Sequence, residues 1–163
     1  MASVCIQDLR AYNQGTLYYH WYDVEKWDFE DAFSDFRERC KEDLGYEPEE
    51  LMIADYSDFP NLGEYPDLNE MEEIWKVLQE GRIPAEAVKI YVEAGYPISD
   101  IEDAYEGEYE SMVDFAYELV DSCYNLEEMM GHLSAYFDYE AFARDLIIGG
   151  DYWFSDGYVF RNI

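Results

Sequence analysis

The residues with the greatest potential for chemistry are carboxylates, because the chain has 39 Asp and Glu residues against 10 Lys and Arg residues. Paired carboxylates can act as general acid and general base, as in glycosidases. In a chain this acidic, however, close pairs arise by chance, and no spacing marks one pair as catalytic. The pattern favours an acidic surface over an active site. We therefore predict no catalytic residues and no enzyme activity.

The spacing of the acidic residues does not predict a metal site either. A calcium-binding loop that starts at Asp100 would need a ligand at its fifth position and Gly at its sixth, where this chain has Ala104 and Tyr105. The two histidines, His20 and His132, form no H-x-x-x-H pair, and there is no glycine-rich phosphate loop. We expect no metal and no cofactor.

Two long stretches, 42–75 and 90–143, contain no Lys or Arg at all. Aromatic residues recur through both and make up 18% of the chain, whereas disordered acidic segments are poor in them. We therefore expect a folded protein that carries one sign of charge on its surface, with a net charge of -29. Nucleic acid and anionic membrane surfaces would repel such a protein.

The cysteines and the N-terminus predict a cytoplasmic protein. Cys5, Cys40 and Cys123 show no C-x-x-C motif and no metal spacing, and their odd number suits a reducing compartment. The first residues lack the basic start and apolar run of a signal peptide. No apolar run approaches the roughly 20 residues that span a membrane.

Hydrophobic periodicity predicts an α+β protein made of three small units. Residues 1–62 form an N-terminal α+β unit, a three-stranded antiparallel sheet plus a helix that Asp28 caps and Gly45 ends. A turn is predicted at 11–15, where Asn and Gly tolerate left-handed backbone. Its strands are predicted at 4–9, 16–22 and 51–56.

Residues 63–107 show only helical patterns and are predicted as a central helical unit. One helix starts near Leu68, a second follows Pro84, and Ser99 is expected to cap a third.

Residues 108–163 are predicted as a second α+β unit. Ser111 and Asp138 are expected to cap helices. Asp156-Gly157, between two aromatic runs, predicts a tight hairpin.

The net charge of -29 can be compared with the charge of DNA. Duplex DNA carries about two charges per base pair, so this charge equals that of roughly 15 base pairs. Acids at every third or fourth position of a helix lie about 5 Å apart on one face, close to phosphate spacing. The chain could therefore imitate DNA, or it could be an acidic binding module for histones, a nucleoid protein or another basic DNA-binding protein.

All the residues that we assign to the acidic DNA-mimic surface lie in segments with few or no Lys and Arg residues. They are Glu70, Glu72, Glu73, Glu93, Asp100, Glu102, Asp103, Glu106, Glu108, Glu110, Asp114, Glu118 and Asp121.

Two segments resemble the ArdA family of antirestriction proteins. The segment 9–15, L-R-A-Y-N-Q-G, is similar to the family's N-terminal L-x-x-Y-N-x-G. The segment 136–146, Y-F-D-Y-E-A-F-A-R-D-L, is similar to its D-Y-x-A-x-x-R-D-L. The segment 157–160 lies where the family has its last strand, and length and acidity match from end to end.

The resemblance implies an elongated protein that forms a head-to-head homodimer and imitates a bent stretch of B-form DNA. The implied partner is the DNA-binding groove of type I restriction–modification enzymes, and the implied genes travel on mobile genetic elements whose incoming DNA they protect. The residues that it assigns to the antirestriction motif and the dimer contact are Tyr136, Asp138, Tyr139, Ala141, Arg144, Asp145 and Leu146.

The motif segment also has features that follow from its residues alone. Tyr139 and Phe142 are expected to pack inward behind the Asp138 cap. Arg144 is a lone cation in an acidic neighbourhood, and we expect it to bridge nearby carboxylates within the chain.

Overall fold

The computed structural model describes residues 1–163 and has a mixed α+β fold with two three-stranded antiparallel sheets. The strands are β1 (Ser3–Asp8), β2 (Tyr19–Asp23), β3 (Leu51–Ser57), β4 (Tyr105–Glu108), β5 (Tyr152–Ser155) and β6 (Tyr158–Arg161). The helices are α1 (Leu9–Asn13), α2 (Phe29–Leu44), α3 (Leu68–Glu80), α4 (Ala85–Glu93), α5 (Ile101–Ala104), α6 (Met112–Cys123), α7 (Leu126–Met130) and α8 (Tyr139–Ile148). The predicted fold class is confirmed.

The chain divides into two compact units, Met1–Ile101 and Glu102–Ile163. In the first unit α3 contacts both α2 and α4, so the helices after residue 62 pack with the N-terminal sheet and helix. The arrangement of three units, with boundaries after residues 62 and 107, is not confirmed by this division and stays a prediction.

The first unit is built on a sheet with strand order β2-β1-β3, all antiparallel. The predicted three-stranded sheet and its helix are therefore confirmed. One face of the sheet carries Val4, Ile6 and Tyr22, which are fully buried. α2 supplies Phe36 and Cys40, also fully buried and spaced by about one helical turn.

The predicted turn at 11–15 is wrong in part, because α1 occupies most of it. Asp8 ends β1 and caps this short helix, with its Oδ2 accepting a hydrogen bond from the Ala11 amide at 3.0 Å. The hydroxyl of Tyr46 donates to the same oxygen at 2.5 Å. The second strand consequently begins at Tyr19, later than predicted.

The two ends of α2 can be compared with the predicted N-cap residue, Asp28, and the predicted helix-ending residue, Gly45. Gly45 ends the helix in a left-handed conformation with φ 80, as predicted. Asp28 occupies the N-cap position but its side chain makes no capping hydrogen bond. Its Oδ1 instead accepts from the Gln79 side-chain amide at 3.2 Å, which links α2 to α3.

The helices after residue 67 follow the prediction up to Pro97. α4 follows Pro84 as expected. The third helix differs: Pro97, not Ser99, precedes a short 3-10 helix at Ile98–Asp100, and α5 follows directly. The ring of Pro97 restricts its backbone, which is extended at this residue. The helical turn therefore starts at Ile98, earlier in the chain than predicted.

The second unit contains a sheet with strand order β4-β6-β5. The β5–β6 hairpin is confirmed, and its turn residues Asp156 and Gly157 have φ of 49 and 91, as a type I′ turn requires. Most of β4 lies in the unit predicted to be purely helical, 63–107, so that prediction is wrong at 105–107. The pairing of Tyr105 with Phe160 forms this strand, although its own sequence has little strand propensity.

Helices α6, α7 and α8 lie between β4 and β5 in the second unit, and α6 packs against α8. The predicted caps are confirmed: Ser111 Oγ accepts from the Asp114 amide at 3.2 Å, and Asp138 Oδ1 accepts from the Ala141 amide at 3.0 Å. α7 and a 3-10 helix at Gly131–Tyr136 were not predicted. No helix in the structure has both the length and the apolarity that a membrane span requires.

Candidate functional surface

α3 positions the first group of predicted surface carboxylates. Asp67 caps the helix, with its Oδ1 accepting from the amides of Asn69 and Glu70 at 2.8 and 3.2 Å. The apolar stripe of the helix is buried, namely Met71, Ile74, Trp75 and Leu78. The opposite face therefore presents Glu70 and Glu73 to solvent.

Trp75 fixes the rotation of α3 about its own axis. Its indole Nε1 donates to the backbone oxygen of Trp27 at 2.8 Å, and its ring meets Phe29 and Phe59 edge to face. Edge-to-face aromatic pairs add to the stabilisation from burial. The direction in which the helix presents its carboxylates is thus determined by a buried aromatic cluster.

The first unit carries two further predicted surface residues near its end. Glu93, the last residue of α4, is exposed, and its Oε1 accepts from the Asn61 amide at 3.1 Å. Asp100 is half-buried, and its Oδ1 accepts from the Ser99 hydroxyl at 3.0 Å. These hydrogen bonds orient the carboxylates without neutralising their charge.

In the second unit, α6 presents Asp114, Glu118 and Asp121, all exposed. Successive offsets of four and three residues place them on one helix face. Phe115, Ala116 and Val120 form the buried face of the same helix. The amphipathic pattern therefore separates charge from core.

A half-buried tyrosine holds one of these carboxylates in place. Tyr109 is half-buried, and burial together with a hydrogen bond to Glu118 raises the pKa of its hydroxyl to about 12. The hydroxyl thus stays protonated and keeps donating to Glu118 at physiological pH, which limits the orientations of that carboxylate.

The remaining predicted carboxylates of the second unit precede α6. Glu102 and Asp103 lie in α5, Glu106 and Glu108 in β4, and Glu110 in the loop before α6. All are exposed except Glu106.

Several of the ten Lys and Arg residues form ion pairs with acids close to them in sequence. Three of the ion pairs join residues three or four apart, namely Lys26–Asp23, Arg39–Asp35 and Lys76–Glu72. Within the predicted surface set, Glu72 pairs with Lys76 at 2.8 Å, and Glu106 lies 3.8 Å from Arg161. These two carboxylates are half-buried and partly compensated, so they are the weakest members of the set.

The predicted motif segment forms α8 and the turn before it. Asp138 caps the helix, Ala143 is buried, and Ala141 and Leu146 are half-buried. Asp145 is exposed.

The rings of the motif segment pack largely against one another. Tyr139 and Phe142 are half-buried. Phe137 meets both edge to face, with ring centroids 4.9 and 5.7 Å away. Tyr139 also contacts Tyr117 of α6 at 5.0 Å, so both side chains pack inward as predicted.

The prediction for Arg144 is wrong. Its side chain is exposed, and none of the ion pairs within the chain involves it. Its neighbours on the helix surface, one turn away, are Glu140 and Ile148. Glu140 does not form an ion pair with Arg144. Arg144 therefore remains available to a carboxylate outside its own chain.

Sequence reasoning missed the exposed apolar side chains around this segment. Tyr136 is 81% exposed, Ile148 74%, Met129 67% and Leu133 51%. Exposed apolar side chains in such number in one short region are typical of a protein contact surface. Leu126, Met129, Met130 and Leu133 follow helical apolar spacing, a pattern that predicts burial, so the sequence carries no signal of their exposure.

The acidic side chains do not converge into a metal site. No three or more His, Cys, Asp or Glu side chains converge to hold a metal ion. Burial, with a smaller effect from Arg39, lowers the pKa of His20, whose ring packs against Tyr22 at 4.9 Å. His20 is thus a structural residue at the side of the core.

The fold and the surface define an acidic α+β protein whose exposed charge lies on helix faces opposite buried aromatic and aliphatic stripes. The family model described as antirestriction protein (ArdA) matches residues 4–160. The chain therefore belongs to the ArdA family of antirestriction proteins, as its two motif segments predicted, and this family is not one of known enzymes. A search of curated proteins gives no match.

Proposed function

We propose that this protein inhibits type I restriction–modification enzymes by occupying their DNA-binding groove as a mimic of B-form DNA, without catalysing a reaction. The observation that carries the proposal is the charge of the second unit. Its only Lys or Arg residues are Arg144 and Arg161, while the carboxylates of α5 and α6, and Glu108 and Glu110 between these helices, are exposed.

The spacing on α6 supports an imitation of phosphates. A helix rises about 1.5 Å per residue, so Asp114, Glu118 and Asp121 are separated by roughly 6 and 4.5 Å along the axis. One strand of B-form DNA carries a charge about every 3.4 Å of axis. The helix face therefore approaches the charge density of one DNA strand, which lets Lys and Arg of a DNA-binding groove pair with carboxylates in place of phosphates.

Competition with DNA follows from this chemistry. Each exposed carboxylate–cation pair is weak, about 0.2–1 kcal/mol, and binding becomes firm only when many pairs form together. Binding by charge alone also weakens with added salt, as for DNA itself.

We further propose that the active form is a homodimer. Two copies carry the charge of roughly 29 base pairs, twice that of one chain. The exposed side chains of Met129, Leu133, Tyr136 and Ile148 provide apolar surface for a contact, and Arg144 can pair with a carboxylate of the second copy. The target enzymes act on DNA within the cell, so the proposal places the protein in the cytoplasm, where it protects DNA arriving on mobile elements.

A competition experiment tests the proposal. A labelled DNA fragment that carries the recognition site is bound to a purified type I enzyme, and the protein is added at several salt concentrations. We expect displacement of the DNA, loss of DNA cleavage, and an inhibition constant that rises steeply with salt. Polyglutamate of equal total charge is the control for nonspecific polyanion effects.

The outcomes separate mimicry from its alternatives. Inhibition without displacement of DNA, or inhibition unaffected by salt, would contradict mimicry while leaving an antirestriction function intact. Equal displacement by polyglutamate would show that charge alone, without the fold, accounts for the effect. Tighter binding to a nucleoid protein than to the restriction enzyme would favour an acidic binding module for another basic partner.

A further inference from the structure

We propose that the outer edge of β2 binds an extended basic segment of a partner protein, which adds to the N-terminal sheet as a fourth strand. The proposal uses the first unit and its backbone, so it is independent of the proposed mimicry by surface carboxylates. It also gives a role to an exposed aromatic strand that charge imitation does not require.

The hydrogen-bonding pattern leaves this edge open. β2 is an edge strand that pairs only with β1. The Asp8 amide donates to the Tyr18 oxygen at 3.2 Å, and the Val24 amide donates to the Ala2 oxygen at 3.0 Å. In an antiparallel ladder alternate residues point the same way, so the amides and carbonyls of Tyr19 and Trp21 point away from the sheet.

The opposite edge of the same sheet, formed by β3, is protected, unlike the edge formed by β2. There the Ile53 amide of β3 donates to the Glu64 oxygen at 2.9 Å, so the loop after β3 covers that edge. Natural sheets usually guard an open edge with Lys, Pro or a bulge. β2 reads Tyr-His-Trp-Tyr-Asp and pairs with β1 without a register shift, so none of these devices is present.

The side chains of the edge form an apolar face. Tyr19 is 54% exposed, Trp21 is 40% exposed, and Leu17 just before the strand is 67% exposed. Tyr19 and Trp21 are two positions apart and therefore lie on the same face of the sheet. They can pack against alternate side chains of an added strand.

The other face of the edge is acidic. The hydroxyls of Tyr18 and Tyr22 donate to Asp43 and Asp35 of α2 at 2.6 and 2.8 Å, which places that helix beside β2. Glu38 and Glu42 of the same helix are exposed. Side chains of an added strand that point towards α2 would therefore meet mainly carboxylates, with Arg39 already paired to Asp35.

These two faces specify the occupant by its chemistry. The segment alternates Lys or Arg, which face α2, with aliphatic or β-branched side chains, which face Tyr19 and Trp21. Addition of a strand to an open edge is a common mode of peptide recognition, in which backbone bonds give affinity and alternate side chains give specificity. A second copy of β2 does not fit, because its sequence Tyr-His-Trp-Tyr-Asp has no Lys or Arg to face the carboxylates of α2.

Amide hydrogen exchange of the full chain, followed by NMR, tests the proposal. The probe is a seven-residue peptide that alternates Lys and Val, with blocked ends. We expect it to slow exchange at the Tyr19 and Trp21 amides by about tenfold or more. A matched peptide that alternates Glu and Val should leave both amides unchanged.

Two substitutions at one position separate the edge from general charge attraction. Trp21→Pro removes an outward amide that β1 does not use, and we expect it to weaken binding of the Lys-Val peptide by about tenfold or more. Trp21→Val keeps the amide and the strand propensity, and should bind within about threefold of the parent chain. Circular dichroism checks that both variants fold. If Trp21→Pro does not fold, the hydrogen-exchange result on the parent chain alone decides whether the peptide binds at the β2 edge.

Two results would overturn the proposal. One is binding of the Lys-Val peptide that shifts acidic surface residues while exchange at Tyr19 and Trp21 stays unchanged. The other is protection of these two amides that grows with protein concentration in the absence of peptide, since the edge would then bind a second copy. Neither result bears on competition with DNA.

Discussion

The hydroxyl of Tyr22 donates a hydrogen bond to Asp35 Oδ2 at 2.8 Å, and this bond joins β2 to α2. Arg39 Nε donates to the same oxygen at 2.6 Å. Burial, followed by the hydrogen bond to Asp35, raises the pKa of Tyr22 above its ordinary range. Partial burial favours a higher pKa for Asp35, but the hydrogen bonds from Arg39 and Tyr22 outweigh it and the pKa is lowered.

Asp35→Asn is expected to reduce the free energy of unfolding at neutral pH by about 1–3 kcal/mol, because two hydrogen bonds lose a charged acceptor. Urea unfolding measures the change. Glu38→Gln on the same helix is the matched control: Glu38 is exposed, so this change should be neutral or slightly stabilising in so acidic a protein.

The effect of Asp35 should depend on pH with a definite sign. Its folded-state pKa is lowered, so its contribution is present above an unfolded pKa of about 3.9 and is lost as pH falls through the folded value. The stability difference between the parent chain and Asp35→Asn should therefore be largest at neutral pH and shrink below about pH 4. A difference that grows on acidification would contradict the assignment.

Asp138 offers a way to separate capping from charge. Its Oδ1 accepts from the Ala141 amide at 3.0 Å. Asp138→Ala should lower stability by about 1 kcal/mol, whereas Asp138→Asn, which keeps a capping oxygen, should cost much less. Thermal unfolding measures both.

The inhibition assay then decides what Asp138 does in function. If it acts only as a cap, Asp138→Asn inhibits the restriction enzyme like the parent chain. Loss of inhibition in a fully folded Asp138→Asn variant would instead assign the charge itself to the contact with the enzyme or the second copy.

The charge on α6 should act as a group. Single changes at Asp114, Glu118 or Asp121 are expected to weaken inhibition by no more than about fivefold, because each exposed pair contributes about 0.2–1 kcal/mol. Neutralising all three should weaken it by about tenfold or more. The inhibition constant at low salt is the measurement.

A matched triple variant controls for net charge. Glu47, Glu49 and Glu50 are exposed and lie outside the predicted surface, so changing all three to Gln removes the same charge elsewhere. We expect little loss of inhibition. Equal losses in the two triple variants would mean that total charge, and not its position on α6, controls binding.

The proposed dimer contact can be tested at Leu133 and Tyr136, which are 51% and 81% exposed. Glu at either position places a charge in an apolar contact, which costs several kcal/mol unless it is paired. Analytical ultracentrifugation should show a dimer for the parent chain and a monomer for these variants. Leu17→Glu, at a site 67% exposed in the first unit, should leave the dimer unchanged.

Monomers in this experiment would also show what dimerisation does for inhibition. A folded monomer should inhibit more weakly, since it presents half the charge along the groove. A parent chain that is already monomeric at micromolar concentration would rule out the proposed homodimer.

Local signals in the sequence predicted much of the fold. The caps at Ser111 and Asp138, the left-handed Gly45 and the Asp156-Gly157 turn all act within a few residues, so chain neighbours alone determine them. The buried stripe of α3 likewise follows from helical spacing. The exposed carboxylates opposite it were predictable because burying an unpaired charge costs too much free energy.

Long-range pairing decided what the sequence did not predict. β4 contains two glutamates and Gly107, so only its pairing with β6 makes it a strand. α1 forms where a turn was predicted because Asp8 is buried and held by Tyr46, thirty-eight residues away.

The sequence by itself determined the charge, its sign and the family, since each of these depends on residue types and short motifs. The tertiary structure alone decided that Arg144 stays unpaired, that Tyr136 and its apolar neighbours are exposed, and that β2 keeps an open edge. These features depend on which residues from distant parts of the chain come together. Periodicity along the chain carries no information about that.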